Sequence, residues 1–389
     1  MEVKAGYKQT EVGIIPKDWG IRKVAEMATT VASGRSHVNS EFGDYPVYGS
    51  TGVIGTCTDA EYFGKSILIA RVGANAGKIS IVDGKYGVTD NTIIIKIDTS
   101  CHWDYFWRQL EAKRLNSMVF GSGQPLITGT QIKGLDIPCP PTLAEQEAIA
   151  EALTDADAFI EALEQLLAKK RQVQQGAMQG LLMGKRRLPG FGGEWKEKKI
   201  EEIAFPSSEK NDAKENLPVL TCSKHLGFVN SLSFFKNQVF SNDTSGYKII
   251  RRGQIGYPAN HVEEGSIGLQ DLYDVAIVSP IYVVFSVTEE VNSYFLHRLL
   301  KLDAYRQKFA TETTSSVDRR GSLRWHAFSQ ITVNLPGIEE QTAIAEILSD
   351  MDAEITALEG KLSKAREVKA GMMSELLTGR IRLVGNSGK

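Results

Sequence analysis

LAEQEAIAEALTDADAFIEALEQLLAKKRQVQQGAMQGLLMGKRRL, residues 143–188, returns as IEEQTAIAEILSDMDAEITALEGKLSKAREVKAGMMSELLTGRIRL at residues 338–383. The two stretches align without a gap at an offset of 195 and share 25 of 46 positions, more than helical composition alone explains. In the first copy Ile149, Leu153, Ala156, Ile160, Leu163 and Leu167 follow alternating spacings of four and three. In the second, Ile344, Leu348, Met351, Ile355, Leu358 and Leu362 do the same. Such spacing predicts a long helix with a narrow apolar seam, the pattern of a coiled coil. Forty residues of helix would span about 60 Å. Gly176 and Gly371 fall within the pattern. Glycine costs about 1 kcal/mol inside an exposed helix, so close packing or a bend is expected at both.

Charge along the copies is polarised. From Leu143 to Leu167 there are seven acids and no base; from Ala168 to Leu188 there are six bases and no acid. The second copy opens with Glu339, Glu340, Glu346, Asp350, Asp352, Glu354 and Glu359, and its bases, Lys361 to Arg382, lie in the later part with Glu367 and Glu375 among them. Acid first and base last suits the helix dipole. It also favours antiparallel pairing, because each acidic half then lies beside a basic half, whereas parallel pairing sets like charges together.

Two longer, non-repetitive stretches precede the copies. They begin alike, with Trp19-x-x-x-Lys23-Val24-x-Glu26-Met27-Ala28 and Trp195-x-x-x-Lys199-Ile200-x-Glu202-Ile203-Ala204, and both close on a proline, Pro141 and Pro336. The predicted layout is a globule at 1–142, a helix at 143–188, a globule at 189–337, and a second helix with its tail at 338–389. Short apolar runs such as Ser66–Val72, Ile79–Val82 and Asn91–Ile97, broken by Gly, Asp and Asn, read as strands. So do Val219–Cys222, Val239, Gln254–Tyr257 and Ala276–Ser286, while 102–117 and 293–309 read as helical. Each globule is expected to be α/β (α+β) with mainly antiparallel strands, since no crossover helices separate the early strands. Trp19 and Trp195, repeated at the globule starts, are expected to be structural anchors, and Tyr45 and Trp325 core residues.

Composition narrows the function classes. The 389 residues carry 45 Lys+Arg and 47 Asp+Glu, a formal net charge of −2, with 42% apolar residues. That excludes wholesale disorder and a polycationic nucleic-acid binder acting by bulk charge. The globules hold 15 bases to 14 acids and 17 of each, so any nucleic-acid contact must use a local patch. The apolar runs are too short to span a membrane and the N-terminus lacks a signal-peptide core, so a cytoplasmic location is expected. Cys57, Cys101, Cys139 and Cys222 lie far apart, and the histidines show no HExxH, so no metal site is expected. Gly73-Ala-Asn-Ala-Gly77-Lys78 has three residues between its glycines and no Ser/Thr after the lysine, unlike a phosphate loop. Gly49-Ser-Thr-Gly52 reads as a hairpin turn. Asp155 and Asp157 do not share a helix face, and there is no (Asp/Asn)-Pro-Pro-aromatic motif of an amino-methyltransferase. No catalytic constellation emerges, and a non-catalytic chain is expected.

The pattern Leu143-Ala144-Glu145-Gln146-x-x-Ile149-Ala150, then Asp155 and Ile160, then Gly176-x-Met178-x-x-Leu181-Leu182-x-Gly184, repeated at 340–379, closely resembles the conserved regions of specificity (S) subunits of type I restriction-modification enzymes. Tyr45-Pro-Val-Tyr-Gly-Ser50, Arg71-Val-Gly-Ala-Asn-Ala-Gly-Lys78, Thr89-Asp90-Asn91 and Gly121-Ser-Gly-Gln-Pro125 are similar to one class of their target-recognition domains. Arg319-Arg320-Gly-Ser-Leu-Arg324-Trp325 resembles a segment of another class. The resemblance implies two target-recognition domains in a pseudo-two-fold tandem duplication, joined by two antiparallel coiled-coil helices that set the spacing of a bipartite double-stranded DNA target. It implies as partners two modification (methyltransferase) subunits, which bind S-adenosylmethionine, and restriction subunits, which use ATP and Mg to translocate and cleave DNA. No cofactor is expected in this chain. Other readings are a subunit of a type IIB-like or fused restriction system, and a two-domain scaffold that no longer reads DNA.

Polar residues on glycine-rich loops can reach base edges and phosphates. The candidates for DNA contact are Ser50, Arg71, Asn75, Lys78, Thr89, Asn91, Ser122 and Gln124 in the first domain. In the second they are Lys224, His225, Ser245, Tyr247, Lys248, Arg319, Arg320 and Arg324. Lys78 suits a phosphate, Asn and Gln suit adenine, and Arg suits guanine.

Overall fold

The computed structural model describes residues 4–38, 43–121, 125–315 and 322–383, with the backbone alone at 314 and 315. Two compact units emerge, and their boundary cuts both long helices. One comprises Met1–Glu164 with Gly360–Lys389, the other Gln165–Glu359. Each unit therefore combines one globule with the first half of one long helix, Leu143–Leu182 or Ile338–Leu376, and the second half of the other.

The β-branched runs explain the first globule. Ser66–Ala70 and Thr92–Ile97 pair at the centre of a four-stranded antiparallel sheet flanked by Ile79–Val82 and Ala28–Ser33. Ile67, Ile69, Ile93 and Ile95 face a core shared with helices, while Leu68 and Ile94 face Val82, Tyr86 and Val88. Burial on both faces accounts for the continuous rather than alternating apolar run. A second sheet has the order Gly52–Cys57, Tyr45–Gly49, Lys85–Val88, Tyr62–Phe63, and its middle pair is parallel.

The second globule repeats this topology strand for strand, though its sequence does not repeat. Its antiparallel sheet has the order Ala204–Ser207, Tyr282–Val287, Ile255–Pro258, Gly268–Leu269. Its other sheet runs Gly227–Asn230, Val219–Ser223, Val275–Val278, Lys248–Arg251, again with a parallel middle pair. Two-stranded ladders close each globule onto its own start: Gly20–Lys23 with Asp136–Cys139, and Lys196–Lys199 with Thr332–Leu335. The extended segment expected at Val239 is irregular chain, in no strand, and the helix expected over 293–309 breaks into Ser293–Leu300 and Asp303–Ser315. Among the described residues no helix is long and apolar enough to cross a membrane.

Within each unit the two helix halves run antiparallel, as the charge pattern predicts. Glu164 meets Arg366 at 2.5 Å and Asp157 meets Lys369 at 2.6 Å in the first unit. In the second, Glu359 meets Arg171 at 2.5 Å and Glu354 meets Lys170 at 2.6 Å. The Glu164–Arg366, Glu359–Arg171 and Glu354–Lys170 pairs are largely exposed, worth about 0–1 kcal/mol each, so they select direction and register more than they stabilise, whereas Lys369 is mostly buried. The seam is broader than a two-helix coiled coil. Leu163, Leu167 and Leu362 are buried, and Ile160, Met351, Ile355 and Leu358 are half-buried. Ile149 and Leu153, however, enter the globule core with Tyr105, Phe106 and Leu110, and Leu376 and Leu377 join them. Ile344 and Leu348 do likewise with Phe295, Leu296 and Leu299, joined by Leu181 and Leu182. The close approach expected at Gly176 and Gly371 is not there: a Cβ at either would meet nothing within 4 Å.

The repeated polar residues of the helices tie them to the globules. Gln146 accepts the N–H of His102, the N-cap of Trp103–Ala112, at 2.8 Å. Gln341 accepts that of Asn292, the N-cap of Ser293–Leu300, at 3.0 Å. Asp157 pairs with Arg108 at 2.5 Å, and Asp352 pairs with Arg298 at the equivalent place. Both glutamines are buried, so each supplies a helix-end N–H with an acceptor from inside the fold.

One histidine gives this fold a pH dependence. His297 lies against the Ile267 carbonyl, 3.3 Å from Nε2. Desolvation, then repulsion by Arg298 and Lys301, pushes its pKa from 6.5 down to about 3. The unfolded chain takes up this proton below its ordinary pKa while the folded chain stays neutral. Stability is therefore lost as pH falls from about 6.5 towards 3, with no contribution above that window. Thermal melts of His297→Gln should be flatter than wild type across these pH values; parallel curves would reject the assignment.

Candidate nucleic-acid interface

In the first globule the strand order brings separated loops together. Tyr45–Gly49 and Lys85–Val88 run parallel, so the turn at Ser50 and the loop 89–91 leave the same sheet end. Ser50 Oγ donates to the Asn91 carbonyl at 2.6 Å, and the Arg71 N–H donates to the same oxygen at 2.9 Å. The Arg71 guanidinium donates to Ser33 Oγ at 3.3 Å and to the Asp90 carbonyl at 3.2 Å. Asn75 and Lys78 lie on the loop that starts at Arg71, closed by the Gly77 N–H to the Ala70 carbonyl at 2.8 Å. Gly77 has φ +84°, and a Cβ there would come within 2.4 Å of the Asn116 nitrogen, so only glycine closes the loop.

Ser50, Arg71, Asn75, Lys78 and Asn91 thus share one loop cluster, with Lys78 and Asn91 exposed. Thr89 departs from the expectation. It is buried, and its N–H donates to the Tyr48 carbonyl at 3.0 Å, so it shapes the turn instead of facing outward. Ser122 and Gln124 lie outside the described residues.

The second globule builds the same place differently. Ala259 holds the backbone position of Arg71. Its N–H donates to the Ile281 carbonyl at 3.3 Å and its carbonyl accepts from Leu323 at 2.7 Å. The corresponding bonds in the first globule are Arg71 N–H to Asn91 and Ile127 N–H to the Arg71 carbonyl, both 2.9 Å. Beside Ala259 a cleft of about 640 Å³ is lined by Ser207, Ser208, Lys248, Asn260, Arg324 and Trp325, among others. Lys248 Nζ donates to the Tyr282 carbonyl at 2.6 Å. Desolvation, with repulsion from Lys210, holds its pKa below the usual lysine value.

Of the candidates here, Lys248 and Arg324 meet in this cleft. Lys224 and His225 are exposed on the hairpin turn between Val219–Ser223 and Gly227–Asn230. Ser245 sits on a turn, its N–H on the Asp243 carboxylate at 3.1 Å. Tyr247 also departs from the expectation: it is buried, and its hydroxyl accepts the Ser241 N–H at 3.2 Å. Arg319 and Arg320 lie outside the described residues. Trp325 packs on Phe285 at 5.5 Å between ring centroids while forming a cleft wall; Trp19 is fully buried, and Tyr45 is half-buried under Lys85.

Sequence reasoning missed Ser33, Ser207 and Asn260. A signal existed for the serines: the repeated anchors end at Ala28 and Ala204, and the strands that continue from them end at Ser33 and Ser207. Asn260 had no such signal, because the loop that carries it shares no pattern with the first globule. His261, Glu263 and Glu264, on the same loop, bring their ligand atoms within 4.8 Å of one another. The His261 Nδ1 to Glu264 Oε1 contact at 3.2 Å accounts for two of the three.

Comparison with known proteins places this geometry in context. Residues 16–171 and 192–366 each match the family model of the type I restriction modification DNA specificity domain. The chain is 23% identical over 408 residues to the type I restriction enzyme MjaVIII specificity subunit of Methanocaldococcus jannaschii, spanning 95% of this chain and 94% of that one. Among solved structures it is similar to the type-I restriction-modification system S subunit from M. genitalium, with a TM-score of 0.58, 15% identity, and 97% and 98% of the two chains covered. A second similar structure comes from work on complex assembly and conformational transition of the type I R-M system, with a TM-score of 0.52, 14% identity, and 94% and 99% covered.

Proposed function

The chain belongs to the type I restriction-modification DNA specificity family, a specificity subunit with two tandem target-recognition domains, and from that premise we propose that each domain reads one half of a bipartite duplex target. The loop clusters around Arg71 and around Lys248 and Arg324 are the reading surfaces. The long helices hold the half-sites at a set spacing. A specificity subunit is the non-catalytic, DNA-recognising member of such a system. Its partners are two modification subunits carrying S-adenosylmethionine and restriction subunits using ATP and Mg, and the complex works in the cytoplasm.

The observation that carries this reading is the strand-for-strand repetition of the globule topology with different side chains at the same loop position, Arg71 in one and Ala259 in the other. Equal scaffolds with unequal loops suit two half-sites of unequal sequence. Neither globule is basic overall, so each half-site contact is local, and two weak contacts gain through effective concentration when both fit.

The test is co-expression of the full chain with its modification subunits in a methylation-free host, followed by mapping of methylated adenines. One split motif with a constant spacer is expected, and Arg324→Glu should reduce methylation through the second half-site. Methylation at no defined sequence would overturn the reading.

A further inference from the structure

We propose that Asn260 is a base-reading residue of the second domain, presenting its side-chain amide to an adenine of the half-site that this domain recognises. The inference rests on the DNA-specificity reading above and adds a residue and a base to it.

Asn260 lines the 640 Å³ cleft together with Lys248, Arg324 and Trp325. Its amide oxygen accepts no hydrogen bond among the described residues, and because packing closes it off from solvent, a turn of the side-chain amide into the cleft is what would bring it to a base. Buried acceptors of this kind are nearly always satisfied, so an exception inside a cleft calls for a donor from outside the chain. Lys248 and Arg324 concentrate positive charge at the same place in a globule whose bases and acids are equal in number, which favours a polyanion as the source of that donor. Trp325, braced by Phe285 and by Phe328 at 6.0 Å, makes the cleft wall rigid.

The position agrees. Ala259 takes the backbone place of Arg71 and supplies no polar group, so the next residue, Asn260, brings the polar side chain to the cleft. The choice of base follows from hydrogen-bond complementarity. An amide oxygen accepts from the adenine 6-amino group while the amide N–H donates to N7. Guanine offers two acceptors on that edge and leaves the oxygen unmatched.

The test uses the full chain assembled with its modification subunits and a randomised double-stranded DNA library as probe. Wild-type complex should enrich a split motif. Asn260→Ala should lose preference for adenine at one position of one half-site and bind the wild-type motif about 10- to 100-fold more weakly, with the other half-site unchanged. Asn260→Asp, of the same shape, should move the preference at that position towards cytosine. It also decides the matter if the alanine variant fails to assemble. An unchanged motif and affinity for either assembled variant overturns the role of Asn260 and leaves the specificity reading standing. A loss spread evenly over both half-sites overturns it too. If the wild-type complex enriches no motif, the specificity reading itself has failed.

Discussion

Arg382→Ala is expected to lower the unfolding free energy by about 3–5 kcal/mol, the cost of leaving a buried charge without its partner. Glu145 is 1% exposed, and Arg382 Nη2 donates to its Oε2 at 2.8 Å. The guanidinium also reaches Asp18 at 3.1 Å and lies over the ring of Trp19, 5.9 Å from its centroid. Alanine removes all three contacts and strands the carboxylate. Arg382 itself retains 23% exposure, which sets the expectation at the lower end of that range. Urea unfolding followed by tryptophan fluorescence reads the effect. A loss under about 1 kcal/mol would show the pair to be an ordinary surface bridge.

Equivalent residues repeat the arrangement in the second unit. Arg187 binds Glu340 in a bidentate pair at 2.7 Å for each bond and lies over Trp195 at 5.9 Å. In both units the helix ends three residues earlier on a left-handed turn, Gly184 at φ +66° and Gly379 at φ +69°. A Cβ at Gly379 would come within 2.9 Å of Trp19, and one at Gly184 within 3.3 Å of Trp195. The glycine lets the chain turn tightly against the tryptophan, and the turn delivers the arginine to the buried glutamate. Arg187→Ala should destabilise in the same direction.

Inserting one heptad after Glu164 and another after Glu359 should lengthen the spacer of the DNA target by about three base pairs while leaving both half-sites unchanged. Seven helical residues add about 10.5 Å, and each base pair occupies about 3.4 Å of duplex. Both insertions fall where the helices pass between units, so no globule core is interrupted. They separate the Glu164–Arg366 pair from the Arg171–Glu359 pair without breaking either. Seven residues also return the apolar seam to nearly the same face. A single insertion should instead shift the register of one helix against the other and prevent assembly. Methylation mapping of the doubly inserted complex decides the matter, and an unchanged spacer would remove the helices from that role.

The two helices, their direction and the duplication could be read from residues 143–188 and 338–383, because helical burial and charge pairing are local and repeat every few residues. What Glu145, Gln146 and Asp157 do could not. They recur in the second copy as motif letters, yet their partners Arg382, His102 and Arg108 lie elsewhere in the chain. The strands of the globules were partly legible as apolar runs, but their pairing was not. Tyr45–Gly49 lies beside Lys85–Val88, and Ala28–Ser33 beside Thr92–Ile97, across separations that no local pattern encodes.

The candidate DNA contacts divide along the same line. Polar residues on glycine-rich loops could be named from sequence, and five of those in the first globule do share a cluster. Whether a side chain points out was decided by tertiary packing, which buried Thr89 and Tyr247 and left the oxygen of Asn260 without a partner among the described residues. Sequence alone thus determined that two globules alternate with two antiparallel helices, since periodicity and charge act over a few residues. The match between the two globules, and the loops that meet at their reading surfaces, were decided only in three dimensions. Strand order is a property of long-range pairing, and it tolerates arginine at position 71 and alanine at the equivalent position 259.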